Sequence, residues 1–407
     1  MYGFTILAVL VLVLFGNYQY TKIYPGGHDF FIHWNNLRSL LISGQSPYSE
    51  TADLKTQELV YGRAALPGED PLRETEPLYS VVFTLAFALI PDFPFARALW
   101  MTFLEGALVA IAIGSIRLTQ WRISFIGMII FLIFSLGWYH GILPLINGSM
   151  IILVALFITG GLIAVRENAD ELAGVLFAFS TIKPQVVLVF LIFILIWGIL
   201  KSKWRMLGWM FGTILILSIC AILLIPDWLI QNLRAVIVHP EFSLASSPMT
   251  SISIWLPALG KRISLVIMIV LAVLLIVSWL VSVKMNFRGF LWTACLTLTL
   301  SQFFGTQTNP DNLILMFPGL TLILAVVDER WRRRGQVVIG FILVLLFVGV
   351  WAITWNTVRI TEPTIINPMM YFPLPIFLIV ALFWVRWWAI HPPSEWVDPF
   401  FTGEYLH

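Results

Sequence analysis

Long apolar stretches recur along the whole chain and are separated by polar connections. A helix of about 20 apolar residues is long enough to cross a hydrocarbon core of about 30 Å. The pattern therefore predicts an all-α integral membrane protein, a single polytopic domain over residues 1–407 with about 12 transmembrane helices. The predicted helices are 4–24, 98–116, 123–138, 149–165, 172–182, 185–200, 206–226, 263–283, 290–305, 311–327, 336–355 and 371–390.

Composition supports the membrane class. The chain is 59% hydrophobic and 11% charged, whereas soluble domains carry about 25% charged residues. No basic segment precedes the first apolar run and no small-residue cleavage site follows it, so we expect it to stay as the first transmembrane helix. Cys220 and Cys295 lie within apolar runs and are expected to fill space. Net charge is only +2, without a long basic stretch, so no nucleic-acid partner is expected.

Basic residues set the expected orientation, because cytoplasmic connections of membrane proteins are rich in Lys and Arg. Placing them in the cytoplasm puts the 25–77 loop outside, and both termini inside. The alternation requires segment 78–91 to be re-entrant or interfacial, since a full crossing would invert all later connections. The basic connections carry Arg117 and Arg122; Arg166; Lys201, Lys203 and Arg205; Lys284 and Arg288; Arg330, Arg332, Arg333 and Arg334; and Arg386.

The 25–77 loop concentrates the polar chemistry. Eight of the chain's 22 acidic residues lie between His28 and Glu76, and loops of this length are usually functional. Within it, the pattern predicts a short amphipathic helix that ends at Gly44 in a left-handed cap. The apolar stripe of this helix is formed by Phe30, Trp34, Leu37 and Leu41.

Asp29 is the first candidate for chemistry, because it stands where the chain leaves the first helix. A carboxylate partly removed from water at that depth suits a general base. The alternative is an N-cap for a helix that begins at Phe30. His28 and His33 flank Asp29, and their five-residue spacing favours ordinary interfacial histidines over a metal pair. The sequence predicts no cofactor and leaves a divalent metal open.

Lys183 lies between two apolar segments, and Pro184 interrupts the helix there. An ionisable side chain at membrane depth indicates function, since it is costly to keep. An ammonium at a helix break near the outer surface suits a phosphate group. The alternative is a side chain that extends to the interface.

Two further polar clusters fall on the predicted outer face. Residues 309–312 (Asn-Pro-Asp-Asn) are interpreted either as a polar site or as a helix-starting turn. Residues 147–149 (Asn-Gly-Ser) match a glycosylation sequon, but a tight turn is the safer interpretation. Arg97 and Glu105 are assigned no role. The chain contains no Walker loop, GxGxxG, HExxH or CxxC pattern, which argues against nucleotide hydrolysis and standard metal chemistry.

The order of these motifs resembles GT-C type glycosyltransferases that use polyprenol-phosphate sugars. It is most similar to glycosyltransferase family 87, the α-mannosyltransferase-like group. The matching positions are Asp29 after the first helix, Gly44, Pro47 and Tyr48 after the short amphipathic helix, Glu76-Pro77-Leu78, Lys183-Pro184 and Pro310-Asp311. The resemblance covers residues 1 to about 330. It departs from the family pattern at His33-Trp34 and at Asn147-Gly148-Ser149.

The resemblance implies transfer of a hexose, by expectation mannose, from a polyprenyl phosphate to an acceptor hydroxyl on a glycan or lipid. This would occur on the extracytoplasmic face of a bacterial-type plasma membrane. Asp29 would be the general base, and Lys183 would bind the donor phosphate. The candidate substrate-binding residues are His28, His33, Arg38, Tyr48, Asn147, Gln185, His239 and Asp311.

Two other functions stay open. About 12 helices is also a common number for secondary transporters, although this chain lacks the matching halves that many of them show. A lipid-polymer ligase or polymerase would share the apolar architecture, but such enzymes generally carry their large loop late in the chain.

Overall fold

The computed structural model describes residues 2–66, 69–238, 248–304, 309–357 and 368–391. Within these residues the chain is helical and contains no strand. The α-helices are α1 (Tyr2–Ile23), α2 (His28–Ser43), α3 (Glu50–Tyr61), α4 (Val81–Ala88), α5 (Phe93–Thr119), α6 (Phe125–Gly137), α7 (Tyr139–Asn147), α8 (Ile151–Arg166), α9 (Asp170–Phe179), α10 (Pro184–Leu200), α11 (Trp204–Leu224), α12 (Trp228–Val238), α13 (Pro248–Trp255), α14 (Gly260–Ser282), α15 (Phe287–Phe304), α16 (Phe317–Thr357) and α17 (Pro373–Ile390). Short 3-10 helices cover Leu78–Ser80, Ser180–Ile182, Pro310–Met316 and Pro368–Tyr371.

The expected all-α membrane class is confirmed. Among the described residues, five helical segments are long and apolar enough to cross a membrane, and a sixth is added if α6 and α7 count as one bent span. Every predicted apolar segment overlaps a helix, but several of those helices are short. The count of about 12 crossings therefore stays a prediction.

Exposed apolar side chains cover the outer faces of the long helices. On α14 the exposed residues recur along one face and include Leu265, Val266, Ile269, Val270 and Val273. Such a surface would be unfavourable in water and is favourable against lipid tails. The interior is packed with large aromatic side chains, among them Trp100, Trp138, Trp292, Phe177 and Phe190.

Two breaks interrupt the long helices, and only the first departs from the predicted pattern. Residues 139–147, expected in an outer connection, form α7, which is bent by 47° from α6. The residue at the bend, Trp138, is extended and buried. Hydropathy alone misses this bend, because a bend within an apolar run leaves its composition unchanged. Helix α16 consists of two helical runs that meet at Arg332, where φ is 47°, so the break expected between 327 and 336 is confirmed.

The basic connections meet at one end of the molecule, here called the basic end. Arg166 Nη1 donates to the Arg117 carbonyl at 2.6 Å. Lys203 Nζ lies 3.0 Å from Asp170 Oδ1. Two further contacts at this end join Trp121 to Asp328 and Arg288 to Glu329. Helix α5 has 27 residues, so its ends lie about 40 Å apart at 1.5 Å per residue. Asp29 and Lys183 belong to the opposite end, here called the site end.

Helices α1 and α5 are antiparallel neighbours. Thr21 Oγ1, near the end of α1, donates to the Pro94 carbonyl at the start of α5 at 2.9 Å. The chain thus leaves α1 and begins α5 at the same end of the molecule. The helical part of the 78–91 segment is a three-residue turn followed by the eight-residue α4, about 17 Å long and short of a full crossing. Its expected re-entrant or interfacial role stays a prediction.

Candidate functional site

Helix α2 begins one turn after the end of α1 and carries Asp29. Its N-cap is Gly27 in the left-handed region (φ 86°), with no side-chain cap. The expected helix start at Phe30, with Asp29 as N-cap, is wrong, because the helix already begins at His28. Asp29 stands in the first turn, and its carboxylate is about one-third exposed and is free to face a neighbouring group.

Arg97 fixes the position of this helix start. Its Nη1 donates to the Tyr24 carbonyl at 2.6 Å, and its Nη2 donates to the Ile146 carbonyl at 2.9 Å. A Cβ on Gly27 would lie 2.3 Å from Arg97 Nε, so only glycine allows this approach. One guanidinium therefore ties the exit of α1 to the end of α7. Glu105 accepts instead from Asn17.

The turn after α7 packs directly against α2. Gly148 has φ 71°, and a Cβ there would lie 2.5 Å from Phe30 Cβ. Its carbonyl accepts from Trp100 Nε1 at 2.9 Å, and the Phe30 ring stacks on Trp100. The tight-turn interpretation of Asn147-Gly148-Ser149 is confirmed. This packing holds Asn147 and Ser149 at the site end, where they contact Asp311 and Lys183.

Lys183 lies at a helix break, between the turn that ends at Ile182 and α10, which begins with Pro184. Its Nζ lies 3.2 Å from Glu76 Oε1 and 4.0 Å from Asp29 Oδ2. It also donates to Ser149 Oγ at 3.1 Å. The Lys183 side chain is only 12% exposed and its ammonium has three partners, so the interpretation as a side chain reaching for the interface is wrong.

A buried cluster of His33, Glu74 and Glu76, here called the histidine–glutamate cluster, lies behind Lys183. His33 Nδ1 is 2.8 Å from Glu74 Oε2, and His33 Nε2 is 3.9 Å from Glu76 Oε2. All three residues are buried. The expectation of an ordinary interfacial histidine is therefore wrong for His33. The two glutamates were not predicted as site residues. Glu76 entered only through the Glu76-Pro77-Leu78 match to the family pattern, and only the acid density of the loop pointed to Glu74.

The charges of this cluster balance one another. Burial alone would lower the pKa of His33, but Glu74 and Glu76 outweigh it and raise that pKa to about 9. Burial alone would raise the pKa of Glu76, but Lys183 and His33 lower it to about 2. For Glu74, burial dominates and the pKa is raised. His33 and Lys183 thus act as the cations of a buried ion network.

The same cluster has the side-chain types of a metal site. Among the described residues, one ligand atom each from His33, Glu74 and Glu76 lie within 4.8 Å of one another. A metal ion would have to displace the direct hydrogen bond between His33 and Glu74 and compete with the Lys183 ammonium. The contacts favour an ion network formed by the protein's own charges.

The predicted polar segment 309–312 contacts the Asn147-Gly148-Ser149 turn. Asp311 is buried at the start of the 3-10 helix Pro310–Met316, and its Oδ2 accepts from Asn147 Nδ2 at 3.0 Å. The adjoining Pro310 carbonyl lies 3.0 Å from His140 Nδ1. The helix-starting turn is confirmed, and the fold brings it to the site end.

Asp29, Lys183 and Glu76 line an open cleft of about 100 Å³. Its wall includes the Gln185 side chain, whose Oε1 is buried and has no hydrogen-bond partner among the described residues. Arg73 also lines it and is held by Asp53 at 2.7 Å. Most of its lining residues are polar, and they include Asp29, His33, Asp70, Arg73, Glu76, Lys183, Gln185, Asn309 and Asn312.

Other predicted substrate-binding residues lie elsewhere. His28 is exposed beside Asp29. Arg38 is directed away from the cleft, donating to the Ala88 carbonyl at 2.9 Å. Tyr48 donates to the Glu76 carbonyl at 2.7 Å and so supports the loop. His239 lies outside the described residues. Leu41, expected on the buried stripe of α2, is half exposed.

In comparisons with known proteins, no family model, no curated protein and no solved structure matches this chain.

Proposed function

We propose that the protein is a polyprenol-phosphate-dependent glycosyltransferase that transfers a hexose, by expectation mannose, to an acceptor hydroxyl. The observation that carries this proposal is the pairing of Asp29 and Lys183. These residues are far apart in sequence, yet their side chains meet at 4.0 Å in an open polar cleft. A carboxylate beside an ammonium offers a base for the acceptor and a countercharge for the donor phosphate.

In the proposed reaction, the acceptor hydroxyl oxygen attacks the anomeric carbon while Asp29 accepts the hydroxyl proton. The bond between the anomeric carbon and the phosphate oxygen breaks, and its electron pair leaves with the polyprenyl phosphate. The Lys183 ammonium offsets the charge that develops on that phosphate. A single displacement of this kind inverts the anomeric configuration. It requires no redox cofactor.

The location of the cleft supports a lipid-linked donor. A polyprenyl phosphate keeps its tail in the membrane and its phosphate at the interface, and the cleft lies at one end of the helical bundle. If the basic end faces the cytoplasm, the cleft faces the extracytoplasmic side. In the proposed architecture roughly twelve helices cross the membrane, and the α2–α3 loop covers the cleft.

The proposal is tested in proteoliposomes with radiolabelled polyprenyl-phosphate-mannose and a mixture of lipid and glycan acceptors. Asp29→Asn should lower the transfer rate by roughly 10²–10⁴-fold, and Lys183→Ala should also abolish most transfer. The matched control is Glu50→Gln, an exposed acid in the first turn of the neighbouring loop helix α3. All variants should elute as the wild-type protein does on size exclusion. Wild-type transfer by Asp29→Asn would refute the assignment.

A secondary transporter is the second candidate, because a buried ion pair at a helix break is also how transporters build substrate sites. Lys183 at the break before α10 is the observation that favours it. The same proteoliposomes distinguish the two functions. Solute uptake without any sugar transfer would establish transport, whereas transfer that depends on Asp29 would establish the enzyme.

A further inference from the structure

A second cleft lies at the basic end, far from Asp29. It is an open cleft of about 460 Å³ between the connection after α5, the start of α15 and the break in α16. The charged side chains that line it are Arg122, Arg288, Arg332, Arg333, Asp328 and Glu329. The lining therefore carries two more positive than negative charges.

Both carboxylates of this cleft are already engaged. Glu329 Oε2 lies 2.9 Å from Arg288 Nη2, in a pair that is about nine-tenths buried. Asp328 Oδ2 accepts from Trp121 Nε1 at 2.8 Å. The Arg288–Glu329 pair is neutral, and Asp328 keeps its negative charge beside the neutral Trp121. The lining as a whole therefore keeps two net positive charges, which favour an anionic ligand.

The break in α16 places two of these arginines over the cleft. Arg332 has φ 47°, and the chain folds back so closely that a Cβ on Gly335 would lie 2.7 Å from the Val327 carbonyl oxygen. In an uninterrupted helix, the side chains of Arg332 and Arg333 would point about 100° apart around the helix axis. With the break, both side chains line the cleft.

A tryptophan cluster beside the break marks the depth of this cleft in the membrane. Trp331 packs on Trp384 with ring centroids 5.3 Å apart, and Trp384 packs on Trp388 at the same distance. Trp331 and Trp384 are exposed. Tryptophan is enriched where lipid headgroups meet hydrocarbon, so the arginines lie at headgroup depth.

An apolar surface leads away from the cleft. Helix α6 and the second half of α16 run in parallel from it, since Trp351 Nε1 donates to the Gly137 carbonyl at their far ends. Near the cleft these two helices expose Phe125, Ile126, Val337 and Phe341. A ligand that fits both features has an anionic head and apolar tails.

We propose that this cleft binds the headgroup of an anionic glycerophospholipid, with the acyl chains along α6 and α16. The phosphate is held by Arg122, Arg332 and Arg333. This site is independent of the proposed sugar transfer, and either can fail without the other. The simpler explanation of the arginines is a general attraction of basic connections to an acidic leaflet, and it predicts no dependence on which arginine is changed.

The test is native mass spectrometry of the full chain in neutral detergent, titrated with phosphatidylglycerol or with phosphatidylcholine. The lining variant is Arg122→Gln with Arg333→Gln. The control is Arg117→Gln with Arg334→Gln, which removes the same charge at the same end without touching the cleft. If each arginine near the headgroups contributes about fivefold, the lining variant should bind phosphatidylglycerol about 25-fold more weakly. The control should bind it as the wild type does.

Equal losses in the two double variants, or no loss in the lining variant, would overturn the proposal. So would equal binding of phosphatidylcholine by the wild-type protein. Displacement of the lipid by millimolar inorganic phosphate would assign the cleft to a soluble anion instead. If the lining variant fails to fold, as judged by size exclusion, Arg333→Gln and Arg334→Gln are compared singly, with the same expected contrast.

Discussion

The histidine–glutamate cluster predicts how the stability of the protein depends on pH. His33 is 5% exposed and contacts Glu74 at 2.8 Å. Burial would lower its pKa, but the two glutamates raise it from 6.5 to about 9. A group whose pKa is raised by folding stabilises the folded state while it is protonated. This contribution is fully present below pH 6.5 and is lost as the pH rises through about 9.

The size of the effect follows from the pKa difference. At roughly 1.4 kcal/mol per pKa unit, the rise from 6.5 to about 9 corresponds to about 3 kcal/mol of unfolding free energy. The assay is denaturant unfolding of the purified protein in neutral detergent at about pH 6 and about pH 10, on either side of this window. The wild-type protein should lose about 3 kcal/mol between them.

Two substitutions on α2 distinguish the contribution of His33 to the pH dependence of stability from the contributions of other titrating groups. His33→Gln removes the titrating group, so its stability should be lower at the acidic pH and nearly constant across the window. His28→Gln is the matched control, because His28 is exposed five residues earlier on α2, and it should keep the wild-type dependence. A wild-type protein that is equally stable at both pH values would refute the reasoning. So would a His28→Gln variant that loses the dependence.

Three further predictions concern the frame and chemistry of the site. Gly148→Ala should lower the unfolding free energy by roughly 2–4 kcal/mol, since the added Cβ would lie 2.5 Å from Phe30 Cβ and φ is 71°. Gly44→Ala is the control, because Gly44 has φ 65° but nothing within 4 Å of the added Cβ, and it should lower the unfolding free energy by only about 1 kcal/mol. Arg97→Lys should reduce transfer and stability together, because an ammonium cannot span the two carbonyls that the guanidinium holds; unchanged activity would contradict its positioning role. Incubation with EDTA should leave transfer unchanged, because protein cations already balance the histidine–glutamate cluster; a loss restored by Mg²⁺ or Mn²⁺ would instead assign that cluster to a metal.

The helices were predictable because the solvent is a bilayer. Apolar runs such as 206–226 and 263–283 stand out in composition, and each corresponds to a helix within a few residues. The left-handed end of α2 at Gly44 was predictable too, because glycine favours that conformation. The break at Arg332 was predictable as well, since it falls in the charged connection between the apolar runs 311–327 and 336–355. The bend at Trp138 was not, since local composition carries no sign of it.

The site was predictable residue by residue but not as an arrangement. Asp29, Lys183, Asn147 and Asp311 were each selected because a polar group stood where an apolar run ends. Their contacts depend on packing between distant segments, such as Gly148 against Phe30, and no local pattern encodes it. Glu76 is the clearest omission. It stood in the Glu76-Pro77-Leu78 match to the family pattern, but it was not selected as a site residue because it was one acid among eight in its loop.

The buried charges around Lys183 are better explained by function than by stability. A buried ion pair generally contributes little net stability, because desolvation offsets the attraction between the charges. Here one ammonium is shared by Glu76 at 3.2 Å and Asp29 at 4.0 Å. A phosphodiester donor carries one negative charge, whereas the departing phosphate monoester approaches two. In the proposed transfer, the fixed ammonium would therefore interact more strongly with the transition state than with the bound donor, and such a difference is what accelerates a reaction.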